Sequence, residues 1–439
     1  MVDKETSGAG QDAGGGQAPA PAPTAGTRRS YWVLMGYAVV FGIAGGLFSL
    51  LFMWVLHLGE SWYDAPNPGW MGGQWWWIAV TAGAGVLVGL LRMLTRLPEK
   101  TPGLIADIEE ANVDPKLMPG ILLVSAASLI GGASVGPEKA LGTFGGGLGR
   151  WLSARAGLSE EDRAAATLSG MGGAYGGLFS SPMIVVVMIV EVARAGGAKF
   201  TKILMSTVLS SSISFGIYFA VAGAVFLGLY TVPAFEYQDW YLLAGVGIGL
   251  LAAIVSSVFG AVVLLCAKLF DRLRLPSIVK STIGGALFGL IGVILPLTMM
   301  TGNAQLGVVL KEGSTLGLGL LIVLVLAKMV TMGVSLGSGF VGGPILPSLF
   351  VGGTAGVALH LAVPGLPLGL TFACMLASVV GGMVSAPFAM VLFAAFTTQM
   401  GALNTAPVLL SVVTSYLAVQ AVMHALAARR AKRSKTAAA

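Results

Sequence analysis

Ser128-Leu129-Ile130-Gly131-Gly132-Ala133-Ser134-Val135-Gly136-Pro137 recurs, altered but legible, as Ser335-Leu336-Gly337-Ser338-Gly339-Phe340-Val341-Gly342-Gly343-Pro344. The offset is 335 − 128 = 207 residues, and at the same offset Gly145, Gly146 and Gly149 fall on Gly352, Gly353 and Gly356. Further on, Gly176-Gly177-Leu178-Phe179-Ser180-Ser181-Pro182 pairs with Gly381-Gly382-Met383-Val384-Ser385-Ala386-Pro387 at an offset of 381 − 176 = 205. Two Gly/Ser/Pro clusters in the same order at nearly one spacing argue for a duplicated half-chain rather than coincidence in a glycine-rich sequence. Repeats of this kind in membrane transporters place the binding site where the halves meet, at the ends of broken helices near the bilayer midplane. The spacing alone leaves open whether the halves run parallel or inverted.

The composition around this repeat is that of a polytopic membrane protein. Of 439 residues 56% are hydrophobic and 10% charged, where a soluble domain carries about 25% charged residues. Mean hydropathy is +0.86. A soluble fold has too little interior for so much apolar material, which argues against a soluble enzyme, a nucleic-acid binder and a disordered chain. The 64 glycines suit closely packed helix backbones. The formal charge is +6. Arg28 and Arg29 precede the first apolar run, and Arg429, Arg430, Lys432, Arg433 and Lys435 follow the last, so both termini are expected in the cytoplasm, with an even number of crossings between them. Residues 1–30 read as a disordered cytoplasmic tail rather than a signal peptide, and 428–439 as a basic cytoplasmic tail. Between them lies a membrane domain over 31–427, with repeat halves of about 31–235 and 236–427.

Apolar runs long enough to span a bilayer are expected at about 31–57, 74–97, 201–231, 241–270 and 278–301, with Trp75, Trp76 and Trp77 as an interfacial anchor. A polar stretch from Thr301 to Ser314 is expected to separate the fifth run from the next. Elsewhere Gly, Pro or Ser interrupts the runs every ten to fifteen residues, which is allowed inside a membrane only where protein or a water-filled path covers the freed backbone groups. Cys266 and Cys374 read as small core hydrophobes. No metal or cofactor is expected, and His57, His360 and His424 have no ligand spacing.

The chemistry is sought at the repeated Gly-Pro turn. Pro137 suits the first turn of a helix predicted to run to about Leu148. The unpaired N–H groups and positive dipole end of such a helix form an anion site, and Gly343-Pro344-Ile345 starts a second helix in the same way. Glu138 places a carboxylate on the first helix where the repeat has Ile345. A charge within the membrane costs on the order of 2.5–3.5 kcal/mol, and a helix N-terminus returns roughly 0.3–2 kcal/mol, so the carboxylate competes with a mobile anion for the same N–H groups. It vacates the site when protonated or swung aside. The alternative is a capping carboxylate that only stabilises the turn. Lys139 either concentrates anions, neutralises Glu138 or snorkels at a vestibule surface. Glu191 and Lys328 are read as structural, Lys328 needing a partner within its apolar run.

At these residues the chain resembles the CLC family of chloride channels and proton-coupled chloride transporters. The family's glutamate motif has its counterpart in Gly136-Pro137-Glu138-Lys139-Ala140. The Gly-x-Phe-x-Pro motif has its counterpart in Gly343-Pro344-Ile345-Leu346-Pro347, and the helix ending in Glu in Phe179-Ser180-Ser181-Pro182 through Glu191. Thr101-Pro102-Gly103-Leu104-Ile105 corresponds loosely to the first motif. The resemblance implies an all-α CLC-type fold with two inverted repeats of broken, tilted helices, and a homodimer in the cell membrane with one anion path per subunit. An intramembrane enzyme with Glu138 as general base is not expected, because no His or Cys lies near in either motif. The resemblance makes Glu138 the gate, with Gly136, Glu138, Gly343, Ile345 and Leu346 around a chloride or similar small anion. It also marks departures. Pro102 stands where the family has a serine, Pro344 lacks an N–H, and no residue matches the family's pore tyrosine, Tyr416 lying too early. Val192 stands where family antiporters carry an inner glutamate. The reading is a passive, voltage- or pH-influenced anion channel, with a proton-coupled antiporter as the alternative.

Overall fold

The computed structural model describes residues 25–63, 73–194, 196, 198–223, 226 and 228–438. They form fifteen α-helices and no strand: α1 (Ala25–Trp62), α2 (Trp76–Leu94), α3 (Leu104–Glu109), α4 (Met118–Ile130), α5 (Glu138–Arg155), α6 (Glu160–Leu178), α7 (Pro182–Val192), α8 (Ala198–Ala222), α9 (Tyr241–Arg272), α10 (Ser277–Ile294), α11 (Asn303–Gly337), α12 (Ile345–Ala362), α13 (Leu368–Val384), α14 (Pro387–Thr398) and α15 (Thr405–Ala438). Eight helical segments among the described residues are long and apolar enough to cross a membrane, and four shorter apolar helices, α4, α7, α13 and α14, accompany them. A helix satisfies its own backbone groups, which is the condition for standing in hydrocarbon.

The helix boundaries depart from the sequence expectation in instructive ways. The run expected to reach residue 231 leaves its helix at Ala222, where Gly223 turns left-handed with φ +72°. The run expected to reach 301 stops at Ile294, and Pro296–Thr298 forms a single 3₁₀ turn. The stretch Thr301 to Ser314 is no separator: α11 starts at Asn303 and passes through it. Lys311 and Glu312 are polar but good helix formers, and the break comes later, at Gly317 with φ 75° and ψ 159°. The helix after Pro137 continues past Leu148 to Arg155. Of the expected N-terminal tail, residues 1–24 lie outside the described residues, and 25–30 open α1. The basic C-terminal segment continues α15.

The duplication is visible in the backbone. Gly132 and Gly339, 207 apart, both adopt positive φ (79° and 103°). So do Ser180 and Ser385 (52° and 57°), and Arg194 and Gln399 (48° and 51°), each 205 apart. The halves are joined by contacts that exchange roles. The amide of Gly136 donates to the carbonyl of Gly343 at 2.8 Å, and that of Gly343 to Gly136 at 2.7 Å, an isolated antiparallel bridge. The amide of Ser134 donates to Ser335 Oγ at 3.2 Å, and the amide of Val341 to Ser128 Oγ at 3.1 Å. Since 341 − 134 and 335 − 128 are both 207, these two bonds are one bond and its image under a two-fold rotation. α2 and α10 cross the same axis antiparallel: a Cβ on Gly85 would stand 2.2 Å from the Ser281 carbonyl oxygen, and one on Gly285 2.2 Å from that of Thr81.

These serines predict a measurable coupling. Ser128→Ala and Ser335→Ala each orphan one buried amide and should each cost about 1–3 kcal/mol. Thermal unfolding in detergent should show the double variant departing from additivity, because both bonds hold the same pair of loops.

The helix directions sort the chain ends onto two faces. Tyr63, after α1, stacks on Trp76 at the start of α2, with ring centroids 6.4 Å apart, and the Gly73 amide donates to Val293 near the end of α10. These ends define a first face. On the opposite, second face, Asp162 at the start of α6 accepts from Ser30 Oγ near the start of α1 (2.5 Å) and from Lys202 Nζ in α8 (2.7 Å). Gly245 and Gly249 of α9 lie against Pro407 and Ser411 of α15 in parallel, so α9 and α15 both end on the second face.

Candidate functional site

α5 and α12 begin at the same point in space because the Gly136–Gly343 bridge draws the two preceding loops together. Pro137 and Pro344 sit just ahead of the first helical residues with φ −73° and −91°. A helix start needs no N–H from its proline, so both helices open without loss. Glu138, the first residue of α5, reaches across the axis: the amide of Leu346 in α12 donates to its Oε1 at 2.8 Å. The carboxyl thus sits on the N-terminus of the other repeat's helix, where unpaired amides and the helix dipole favour negative charge. Glu138 is fully buried, and its Oε2 has no hydrogen-bond partner. A buried oxygen left so costs about 1–3 kcal/mol.

The two glycines make room for it. A Cβ on Gly136 or on Gly343 would lie 2.0 Å from Oε2. Among the expected site residues, the structure therefore brings Gly136, Glu138, Gly343 and Leu346 together. Ile345 is buried at the first position of α12, the image of Glu138. Pro344 has no N–H, and the amide of Leu346 donates to the carboxyl.

Two further residues, Tyr175 and Asp107, belong to this neighbourhood and were not singled out in the sequence. Tyr175 Oη, buried on α6, donates to the backbone carbonyl of Glu138 at 3.1 Å. Lys139 Nζ donates to Asp107 Oδ2 on the short helix α3, with both side chains about 5% exposed. Asp107 carries a readable signal: an acid inside an apolar membrane chain needs a partner, and Lys139 is a cation with the same need. Tyr175 carries none, being one aromatic among many in a Gly-rich helix.

Two other charged residues of the apolar segments, Lys328 and Glu191, are engaged by backbone groups. Lys328 Nζ is fully buried and donates to the carbonyls of Thr298, Met299 and Met300 at 3.0, 3.0 and 2.7 Å. It pins the 3₁₀ turn where α10 gives way to α11, and its image 207 residues earlier is Ile121. The carboxylate of Glu191 accepts from the amides of Phe388 and Ala389, both at 2.9 Å. It caps α14, supplying the acceptors that Ala386 and Pro387 lack. Val192 beside it is buried. Cys266 and Cys374 are free and buried. His57 bonds Glu60 at 3.0 Å, and His360 bonds the Leu366 carbonyl at 2.7 Å.

A cavity of about 720 Å³ opens toward the ends of α2 and α9, on the second face, and runs inward to Pro102, Gly342 and Pro344. Lys139 lies in its wall. Arg92 braces its rim by donating to the carbonyls of Gly339 (2.9 Å), Pro98 (2.6 Å) and Glu99 (2.9 Å). The cavity thus leads from one face toward the turns that carry Glu138 and Leu346.

Comparison with known proteins agrees with this architecture. A family model described as "Voltage gated chloride channel" matches residues 100–420. A relative from Escherichia coli (strain SMS-3-5 / SECEC), named as ion-transport protein YfeO, is 26% identical over 358 residues, covering 78% of this chain and 82% of that protein. Its namesake from Shigella boydii serotype 4 is 27% identical over the same span. Among solved structures, a slow cyanobacterial Cl⁻/H⁺ antiporter superposes with a TM-score of 0.76 at 18% identity, covering 89% of this chain and 94% of that one. A CLC-type fluoride/proton antiporter superposes with a TM-score of 0.75 at 19% identity, covering 90% and 96%. At these identities the superpositions establish the fold, and the match over 100–420 establishes the kinship: the chain is a multi-pass membrane protein that belongs to the voltage-gated chloride channel (CLC) family.

Proposed function

We propose that this protein conducts chloride or a similar small anion across the cell membrane, and that the Glu138 carboxyl is its gate. The observation that carries the reading is the bond from the Leu346 amide to Glu138 Oε1 at 2.8 Å, where two repeated helix starts face one point. An anion at that point replaces the carboxylate on the same amides. Because backbone dipoles rather than a full positive charge hold it there, it can leave again. Gly136 and Gly343 keep the point clear of side chains, and Ile345 lines it from the second repeat. The two halves, about 31–235 and 236–427, enclose a single path, and we expect two copies of the chain to associate as a homodimer.

Passive conduction is supported by what surrounds Glu191. Its carboxylate is spent on the α14 amides, and its neighbour Val192 cannot carry a proton. Orientation follows from charge. The described residues of the first-face connections, 63, 73–75, 223, 226, 228–240, 295–302 and 399–404, include no Lys or Arg, while Arg92, Lys100, Arg272 and Lys280 lie by the opposite helix ends. The second face, with both ends of the described chain, is then cytoplasmic, and the cavity is the cytoplasmic mouth.

The test is chloride flux in liposomes reconstituted with the purified protein. A passive path gives efflux down the chloride gradient and a reversal potential that ignores an imposed pH gradient. Uphill chloride movement driven by protons would assign an antiporter instead, and no anion flux under any gradient would overturn the proposal.

A further inference from the structure

Besides Glu138, a second buried carboxylate, that of Asp107, is paired with a cation, Lys139, that lines the cavity. We propose that Lys139 and Asp107 form an anion station on the cytoplasmic side of Glu138, at which a small monovalent anion takes the Lys139 ammonium in exchange for the Asp107 carboxylate. The inference rests on the reading of the protein as an anion pathway and adds to it a specific ligand and a specific competitor.

Three observations converge. The first is place. Lys139 lines the 720 Å³ cavity at its buried end and is only 4% exposed. The other cations of that wall are committed or outlying: Arg92 holds three carbonyls, Lys100 is paired with Asp271 at 3.0 Å near the rim, and Lys268 is exposed. The second is need. An anion leaving water must find donors to replace its hydration, and where the cavity meets the start of α12 its wall presents Pro344, which has no N–H. The Lys139 ammonium has three N–H donors, of which Asp107 Oδ2 takes one. The third is symmetry. Lys139 is the image of Leu346, 207 residues on, whose amide holds the gate carboxyl. The same first-turn position therefore serves the path from both helices, by its amide in α12 and by its side chain in α5. Asp107 matters as much as Lys139. A lone buried ammonium would bind an anion too tightly to release it, and a resident carboxylate lowers that affinity while keeping the cation paired when no anion is there.

The experiment measures chloride binding to the purified full chain by isothermal titration calorimetry, with gluconate as the replacing anion, and chloride efflux from liposomes. Lys139→Met is expected to weaken chloride binding about tenfold, the loss of one hydrogen bond from a charged donor, and Lys139→Arg to recover much of that loss. Asp107→Asn is expected to bind chloride about tenfold tighter and to slow efflux, as the competitor is gone. Glu138→Gln serves as the reference for the gate. If Glu138→Gln alters chloride binding while Lys139→Met and Asp107→Asn leave it at the wild-type value, the station is overturned and the gate stands. If neither the wild type nor Glu138→Gln binds or passes chloride, the proposed function falls and this inference with it. Should Lys139→Met elute aggregated, Asp107→Asn decides alone, an unchanged affinity overturning the proposal.

Discussion

Replacing Glu138 by Gln should abolish the pH dependence of anion flux and leave the protein at its acid-side rate across the whole range. The sign follows from the competition at Leu346. A charged carboxylate holds the amide; a proton removes that charge and with it the advantage over a mobile anion. Wild-type flux should therefore fall as pH rises. Glutamine keeps the size of the side chain and never acquires the charge, so its flux stays flat. The hydrogen bond at stake is charge-assisted, worth about 1.5–3 kcal/mol, so at alkaline pH the variant should exceed the wild type by roughly 10- to 100-fold. Efflux from chloride-loaded liposomes at a series of external pH values measures this. A Glu138→Gln profile that still falls with pH would show that another group gates the path.

The second large effect concerns stability, and it separates two glycines on one helix. Gly85 faces α10, where a Cβ would stand 2.2 Å from the Ser281 carbonyl oxygen and 2.6 Å from its carbon. Those are backbone atoms on the antiparallel partner, and they cannot swing away as a side-chain tip would. Gly83, two residues earlier, meets nothing within 4 Å. Gly85→Val should force α2 and α10 apart at the two-fold axis and cost about 4 kcal/mol or more, the range of severe overpacking. It should appear as loss of the monodisperse peak in detergent or a melting temperature lower by roughly 5–10 °C. Gly83→Val should elute and melt as the wild type does. Equal behaviour of the two variants would refute the close approach of these helices.

That contrast also shows how far the sequence could be read. Both residues are glycines in an apolar helix, and nothing in the local pattern distinguishes the one that touches α10 from the one that faces outward. The same holds for Glu138. Its place on a repeated helix start, opposite Ile345, was legible because Gly, Pro and Glu carry strong local consequences: a close approach, a helix start, a charge in need of partners. That its carboxyl would lie on the amide of the other repeat's helix was not legible, because the bond spans 208 residues. Lys139 was legible as a cation beside the gate motif, with three possible roles, whereas its partner Asp107 lay on a short helix just beyond the loosely matching motif and drew no reading. The stretch from Thr301 to Ser314 misled for a different reason. Its polarity suggests a break, but a helix tolerates polar residues and yields only where backbone geometry demands it, here at Gly317.

Composition and repetition alone committed this chain to a duplicated bundle of membrane helices with a carboxylate at one helix start, since hydrophobic burial and the demand for internal hydrogen bonding are summed along the chain and show in any long window of it. Which amide receives that carboxylate, which glycines are pressed between backbones and which buried charges meet were decided only by the approach of segments some 200 residues apart. Those contacts depend on two-fold related loops locking at Gly136 and Gly343, and such an encounter leaves no mark in either segment taken separately.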